Sequence, residues 1–146
     1  MAQFSCNDID AFCVSMEEFA AMPNNIRDDI IEAGARVVKK AHEEKIRSEF
    51  TQRTGKLAGS VKISMKTGGP GGRYALIYPQ GQHHTYNAKK HGKGVAYNND
   101  VAFVQEFGGH GNAAHQWMQV ANEGCAEEVV VAEEDVYYGW IKSLGL

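Results

Sequence analysis

Apolar residues recur at helical spacing at both ends of the chain and alternate in its middle. Near the start, Ile9, Phe12, Cys13, Met16 and Phe19 follow an i, i+3, i+4, i+7 pattern. This predicts a helix within residues 1–22, capped by Asn7 or Asp8 and stopped by Pro23. A longer helix is predicted over 24–50. Ile26, Ile30, Ala33, Val37 and Ala41 form its stripe, widened by Ile31, Gly34 and Val38. Asn24 or Asn25 supplies a cap, Asp28 and Asp29 suit the N-terminal dipole, and Lys45 and Arg47 suit the other end. Gly34 costs about 1 kcal/mol against Ala inside a helix, so it points to another element packed close by.

Thr54-Gly55 and Gly59 break this pattern, and the period then becomes two. Val61, Ile63 and Met65 alternate with Lys62, Ser64 and Lys66, which predicts a strand with one wet, basic face. The run TGGPGG reads as a turn, and RYALIYP as a second strand antiparallel to the first. Residues 80–95 lack apolar periodicity and read as a mobile loop. Alternation returns at Val101–Phe107, read as a third strand. From Ala113 to Leu144 the helical period is restored through Trp117, Ala121, Cys125, Val129, Val136 and Trp140.

The expected fold is α+β: a small antiparallel sheet of three or four strands packed by a long central helix and a C-terminal helix. A single domain over 1–146 is expected, divided into helix 1–22, helix 24–50, sheet 60–108 and helix 113–144.

Charge changes this picture more than composition does. Residues 51–100 carry eight Lys or Arg against only Asp100, a net of +7, so the rest carries −10 to give the chain's −3. From residue 114 onward six acids face only Lys142. Such separation suits nucleic acid at the middle segment, or basic and acidic faces meeting in self-association. No run of about 20 apolar residues suggests a membrane span, and MAQFSCNDID has no signal-peptide character. Cys6, Cys13 and Cys125 are odd in number and form no C-x-x-C pair, so free thiols are expected.

Candidate chemistry is sparse. His83, His84, His91, His110 and His115 cluster in sequence and invite a metal reading. Three of them fall in the expected loop, and the spacing of His110 and His115 is not that of H-E-x-x-H. Solvated or interfacial histidines are the better account. Glu106 with His110 lacks a nucleophile and a second carboxylate. The glycines of TGGPGG lack the Lys-Ser/Thr ending of a phosphate cradle. No catalytic residue, metal or cofactor is therefore expected. Lys89, Lys90, His91 and Lys93, with Tyr86, make a basic and aromatic segment suited to assembly or to nucleic-acid backbones.

Three short motifs carry a resemblance. TGKL at Thr54–Leu57 follows the long helix, VAFVQEFGG spans Val101–Gly109, and AAHQWMQVANE opens the last helix. In this order they resemble the tail-completion, or head–tail joining, proteins of siphovirus-type phages and prophages. The likeness covers roughly residues 24–146 and rests on Thr54, Gly55, Leu57, Phe103, Phe107, Gly108, Trp117 and Met118. Ala113-Ala114 stand where that family often has a proline.

The resemblance implies a non-enzymatic subunit of the neck, assembled as a homo-oligomeric ring. Its partners would be a head connector or adaptor and a tail terminator or tube, with non-specific contact to genome DNA and none to a membrane. It would act in the virion, after assembly in the host cytoplasm. Phe103 and Phe107 would anchor the third strand, and Glu106 would be a structural or interface carboxylate. The competing expectation is a sequence-independent nucleic-acid-binding module built on the basic 51–100 segment; a metal-dependent hydrolase ranks third.

Overall fold

A computed structural model of the chain describes residues 21–50, 55–70, 72–88, 92–109 and 111–145. The helix expected within 1–22 lies outside these, apart from its last two residues, as do Thr54, Lys89, Lys90, His91 and His110.

The element order is α1 (Asn24–Glu49), α2 (Lys56–Gly59), β1 (Val61–Thr67), β2 (Arg73–Pro79), β3 (Gln82–Ala88), β4 (Gly92–Tyr97), α3 (Asn98–Phe107) and α4 (Trp117–Ser143). The α+β class is as expected. The sheet differs in detail: its four strands form two antiparallel pairs, β1–β2 and β3–β4.

Helix α1, about 39 Å long at 1.5 Å per residue, is the spine. It packs against α4 and against β1–β2. Two-sided packing explains its wide stripe, in which Gly34, Ala35, His42 and Ile46 are buried and Ile26, Ile30, Val37 and Val38 half-buried. The expected close approach at Gly34 is made by the Glu133 side chain of α4. The solvent side is laced with i, i+4 ion pairs such as Glu32–Arg36 and Lys40–Glu44. Neither Asn24 nor Asn25 caps the helix. It begins at Asn24, and the Pro23 carbonyl accepts from Ile26 and Arg27 N–H. Asp28 is used elsewhere: it holds the Arg73 guanidinium of β2 in a two-pronged ion pair.

The β1–β2 hairpin follows its alternation. Val61, Ile63 and Met65 turn inward with Ala75, Ile77 and Pro79. Outward, Lys62 lies opposite Tyr78, Ser64 opposite Leu76, and Lys66 opposite Tyr74. The core proper is compact: Ile46, Leu57, Ala58, Val61, Ala102 and Trp117, with Phe50, Ile77, Val101 and Met118 around it. Trp117 is fully buried, and truncating such a residue to Ala typically costs about 3–5 kcal/mol.

Two sequence expectations are corrected. The segment 80–95 is largely a hairpin rather than a loop, since β3 and β4 pair from Gln82↔Tyr97 to Ala88↔Gly92. Backbone pairing holds it, so an apolar period is not required. The segment 101–107 is helix α3, not a strand. Its inward positions are Asn98, Ala102 and Glu106, spaced by four, while Phe103 and Phe107 are 62% and 66% exposed. The two phenylalanines therefore anchor nothing in the core. They pack on each other, with ring centres 4.8 Å apart.

Candidate functional site

The stretch from Val101 to Glu123 is a helix–turn–helix joint, and Glu106 is its key. The first N–H groups of an α-helix have no partner within it and carry the positive end of its dipole. Glu106 is only 6% exposed and aims its carboxylate at the start of α4. Oε2 accepts from Met118 N–H at 2.6 Å and Oε1 from Gln119 N–H at 3.2 Å. A carboxylate borrowed from the preceding helix thus caps α4, which has no cap of its own at Gln116.

The turn is shaped to bring the two together. Gly108 ends α3 with φ +79°, and a Cβ there would lie 3.0 Å from Ala114 N and Asn112 O. Glycine meets both the backbone and the spatial demand. Gly109 and Asn112 exchange backbone hydrogen bonds of 3.0 and 2.9 Å. His115 and Gln116 N–H then bond back to the carbonyls of Gln105 and Glu106. Gln116 is left at φ 49°, an uncommon conformation for a non-glycine residue. Trp117 follows and donates its indole N–H to Ala102 O at 3.2 Å. The Glu-Phe-Gly and Trp-Met pieces thereby act as one unit: cap, turn and plug.

Behind this joint lies a buried imidazole. His42, 2% exposed, meets Trp117 edge-on at 5.3 Å and places Nε2 2.7 Å from Asn122 Oδ1. With that oxygen accepting, the neutral ring carries its proton on Nε2, and Nδ1 has no partner. Burial lowers the His42 pKa; the Asn122 hydrogen bond and the Glu106 charge work in the opposite direction. The arrangement positions α4 on α1 and offers no exposed acid or base. Periodicity could not find it, because His42 and Asn122 are polar residues far apart in sequence.

A second polar stitch is Asn98, whose Nδ2 donates to Gln80 O at 2.8 Å and whose Oδ1 lies 2.8 Å from His83 Nδ1. It ties the start of β3 to the end of β4. His115 sits elsewhere, against Phe50 and 3.7 Å from Glu49. Lys45 chiefly, with His115, holds the Glu49 carboxyl below its ordinary range. Among the described residues no three His, Cys, Asp or Glu side chains gather as metal ligands would. An open groove of about 410 Å³ between α1 and α4 includes Lys45, Glu128 and Cys125, and burial raises the Cys125 pKa, so it stays a thiol. No described helix is long and apolar enough to cross a membrane.

The remaining sequence candidates are placed as follows. Gly55 adopts φ +67° and opens α2, Leu57 is in the core, and Met118 packs at its margin. Lys93 lies in β4, paired with Asn87.

What sequence reading missed is the outer surface. Tyr74, Leu76 and Tyr78 on β2, Phe103 and Phe107 on α3, and Val130, Val131 and Tyr138 on α4 are all exposed. On β2 the three stand on one face of the strand, and on α3 the two rings pack on each other in the open. No family model, curated protein or solved structure matches the chain.

Proposed function

We propose that this chain is a non-enzymatic structural subunit of a phage head–tail junction, a tail-completion or neck-ring protein that helps join tail to head. The observation that carries the reading is the pattern of exposed large apolar residues on β2, α3 and α4. A subunit packed between neighbours would bury them and gain from doing so. The motifs that suggest the family also have a coherent physical role as the joint through Glu106, Gly108 and Trp117. In this reading the connector or adaptor and the tail terminator or tube are its partners, and the virion neck is its place.

A second reading, sequence-independent nucleic-acid binding, is favoured by one observation: exposed Lys62 and Lys66 lie directly across from exposed Tyr78 and Tyr74. Cations beside aromatic rings suit a phosphate backbone and stacked bases. The two readings separate by experiment. Co-expression with the products of neighbouring genes, followed by electron microscopy, should show rings on connectors or tail tips. If nothing assembles and the protein instead binds DNA with a steep salt dependence, the joining role is wrong.

A further inference from the structure

We infer that the outer face of the β1–β2 hairpin is a docking surface for α4 of a second copy of this chain. The contact names a partner for the assembly reading and rests on it only for its biological setting.

The two surfaces are complementary in apolar pattern and charge. On the hairpin, Tyr74, Leu76 and Tyr78 form an exposed apolar row, bracketed across the ladder by Lys66 and Lys62. No acidic residue occurs in either strand. On α4, Glu127, Val131, Glu134 and Tyr138 recur at i, i+4, i+7 and i+11, so they share one face, and all four are exposed. Val130 borders the same stripe and is exposed too. Apolar side chains flanked by lysines on one surface thus match apolar side chains flanked by glutamates on the other. The spacings are within about 3 Å of each other, which the long Lys and Glu side chains can span. Four strand residues separate Lys62 from Lys66 by about 13 Å, and seven helical residues separate Glu127 from Glu134 by about 10.5 Å.

Position in the fold makes the contact intermolecular. Within one copy α1 packs against both α4 and the hairpin, and the hairpin's outer row and the α4 stripe are both left exposed. One copy does not bring its own stripe onto its own sheet, but it can offer the sheet to one neighbour and the stripe to another. That is a head-to-tail contact, which closes into a ring or continues as a filament. A single hairpin face is smaller than the roughly 800 Å² per partner of a standard interface, so one contact is weak and repetition strengthens it.

Two charge-reversed variants test this. K62E/K66E puts glutamate on the sheet face, and E127K/E134K puts lysine on the helix face. Sedimentation velocity of wild type from about 10 to 500 µM in low salt should show concentration-dependent association that weakens as salt rises. Each variant alone should associate at least about tenfold more weakly. Mixed in equal amounts they should associate again, because glutamate sheets meet lysine helices and lysine sheets meet glutamate helices. Recovery on mixing also shows that both variants are folded.

Three outcomes would overturn the inference: wild type monomeric throughout the range, association unchanged in either variant, or no recovery on mixing. Binding of mixed-sequence DNA that K62E/K66E abolishes, without self-association, would assign the face to nucleic acid instead. Electron microscopy with the neighbouring gene products tests the joining role separately, so rings lacking this contact, or this contact without rings, would tell the two ideas apart.

Discussion

Replacing Glu106 measures how much of this fold depends on one borrowed cap. The wild-type carboxylate gives two charge-assisted hydrogen bonds to Met118 and Gln119 N–H and places a negative charge at the start of a 27-residue helix. Glu106→Ala leaves both N–H groups without that acceptor. Each unsatisfied group costs about 1–3 kcal/mol, and water reaching the half-buried turn recovers part of it, so a loss of about 3 kcal/mol is expected. Glu106→Gln keeps one carbonyl acceptor and the shape but loses the charge and the second acceptor. About 1–2 kcal/mol is expected, which leaves a domain of ordinary stability, about 5–15 kcal/mol, folded. Urea unfolding followed by tryptophan fluorescence suits the test, since Trp117 sits in the joint. With a slope near 2 kcal/mol/M, the midpoint should fall by roughly 1.5 M for Ala and about 0.7 M for Gln. Amide exchange at Met118 and Gln119 should accelerate in both, more than within α1. Equal losses for Ala and Gln would mean that side-chain shape, not the acceptor, matters. Losses below about 0.3 kcal/mol in both would mean that the cap contributes nothing.

Two glycines should behave oppositely. Gly108→Ala, at φ +79° with backbone atoms 3.0 Å from the new Cβ, should cost about 3 kcal/mol, whereas Gly34→Ala meets only the Glu133 side chain, which can turn aside, gains helix propensity and should change stability by less than about 1 kcal/mol, both read from thermal melts. The lowered His42 pKa means that the unfolded chain takes up a proton near pH 6.5 that the folded one resists. Its contribution is complete above about pH 6.5 and declines as pH falls below it, so urea midpoints at pH 5 and 7 should differ less in His42→Leu than in wild type. Cys125 is buried with its pKa raised, so in a C6S/C13S background its thiol should react slowly with a disulfide reagent at pH 7 and quickly in urea; fast reaction of the folded protein would contradict its burial.

Residues 98–107 show where sequence reading fails and why. Val101, Phe103 and Gln105 alternate with Ala102 and Val104, and β-branched and aromatic residues favour a strand. The chain makes α3 instead, and the local hydrophobic sense is inverted: two phenylalanines face outward while Asn98 and Glu106 are buried. The partners that make those burials favourable are Gln80 and His83 for Asn98, and Met118 and Gln119 for Glu106. None lies within one helical turn, so no local window contains the reason. The β3–β4 hairpin escaped for a related cause. Its pairing is backbone to backbone, and it has no apolar stripe to announce it.

What the sequence by itself determined is whatever depends on a repeated local pattern. The 24–49 helix, the β1–β2 alternation with its glycine turn, the last helix ending at Ser143 and the α+β class all follow from apolar period and turn residues. Tertiary structure decided the rest: which residues of α1 face the sheet and which face α4, that Asp28 serves Arg73 rather than its own helix, and that Glu106 caps a helix it does not belong to. Each of these requires two distant segments to be brought together before the favourable energy exists. Period is a property of a segment, whereas a buried hydrogen bond or a docked face is a property of a pair.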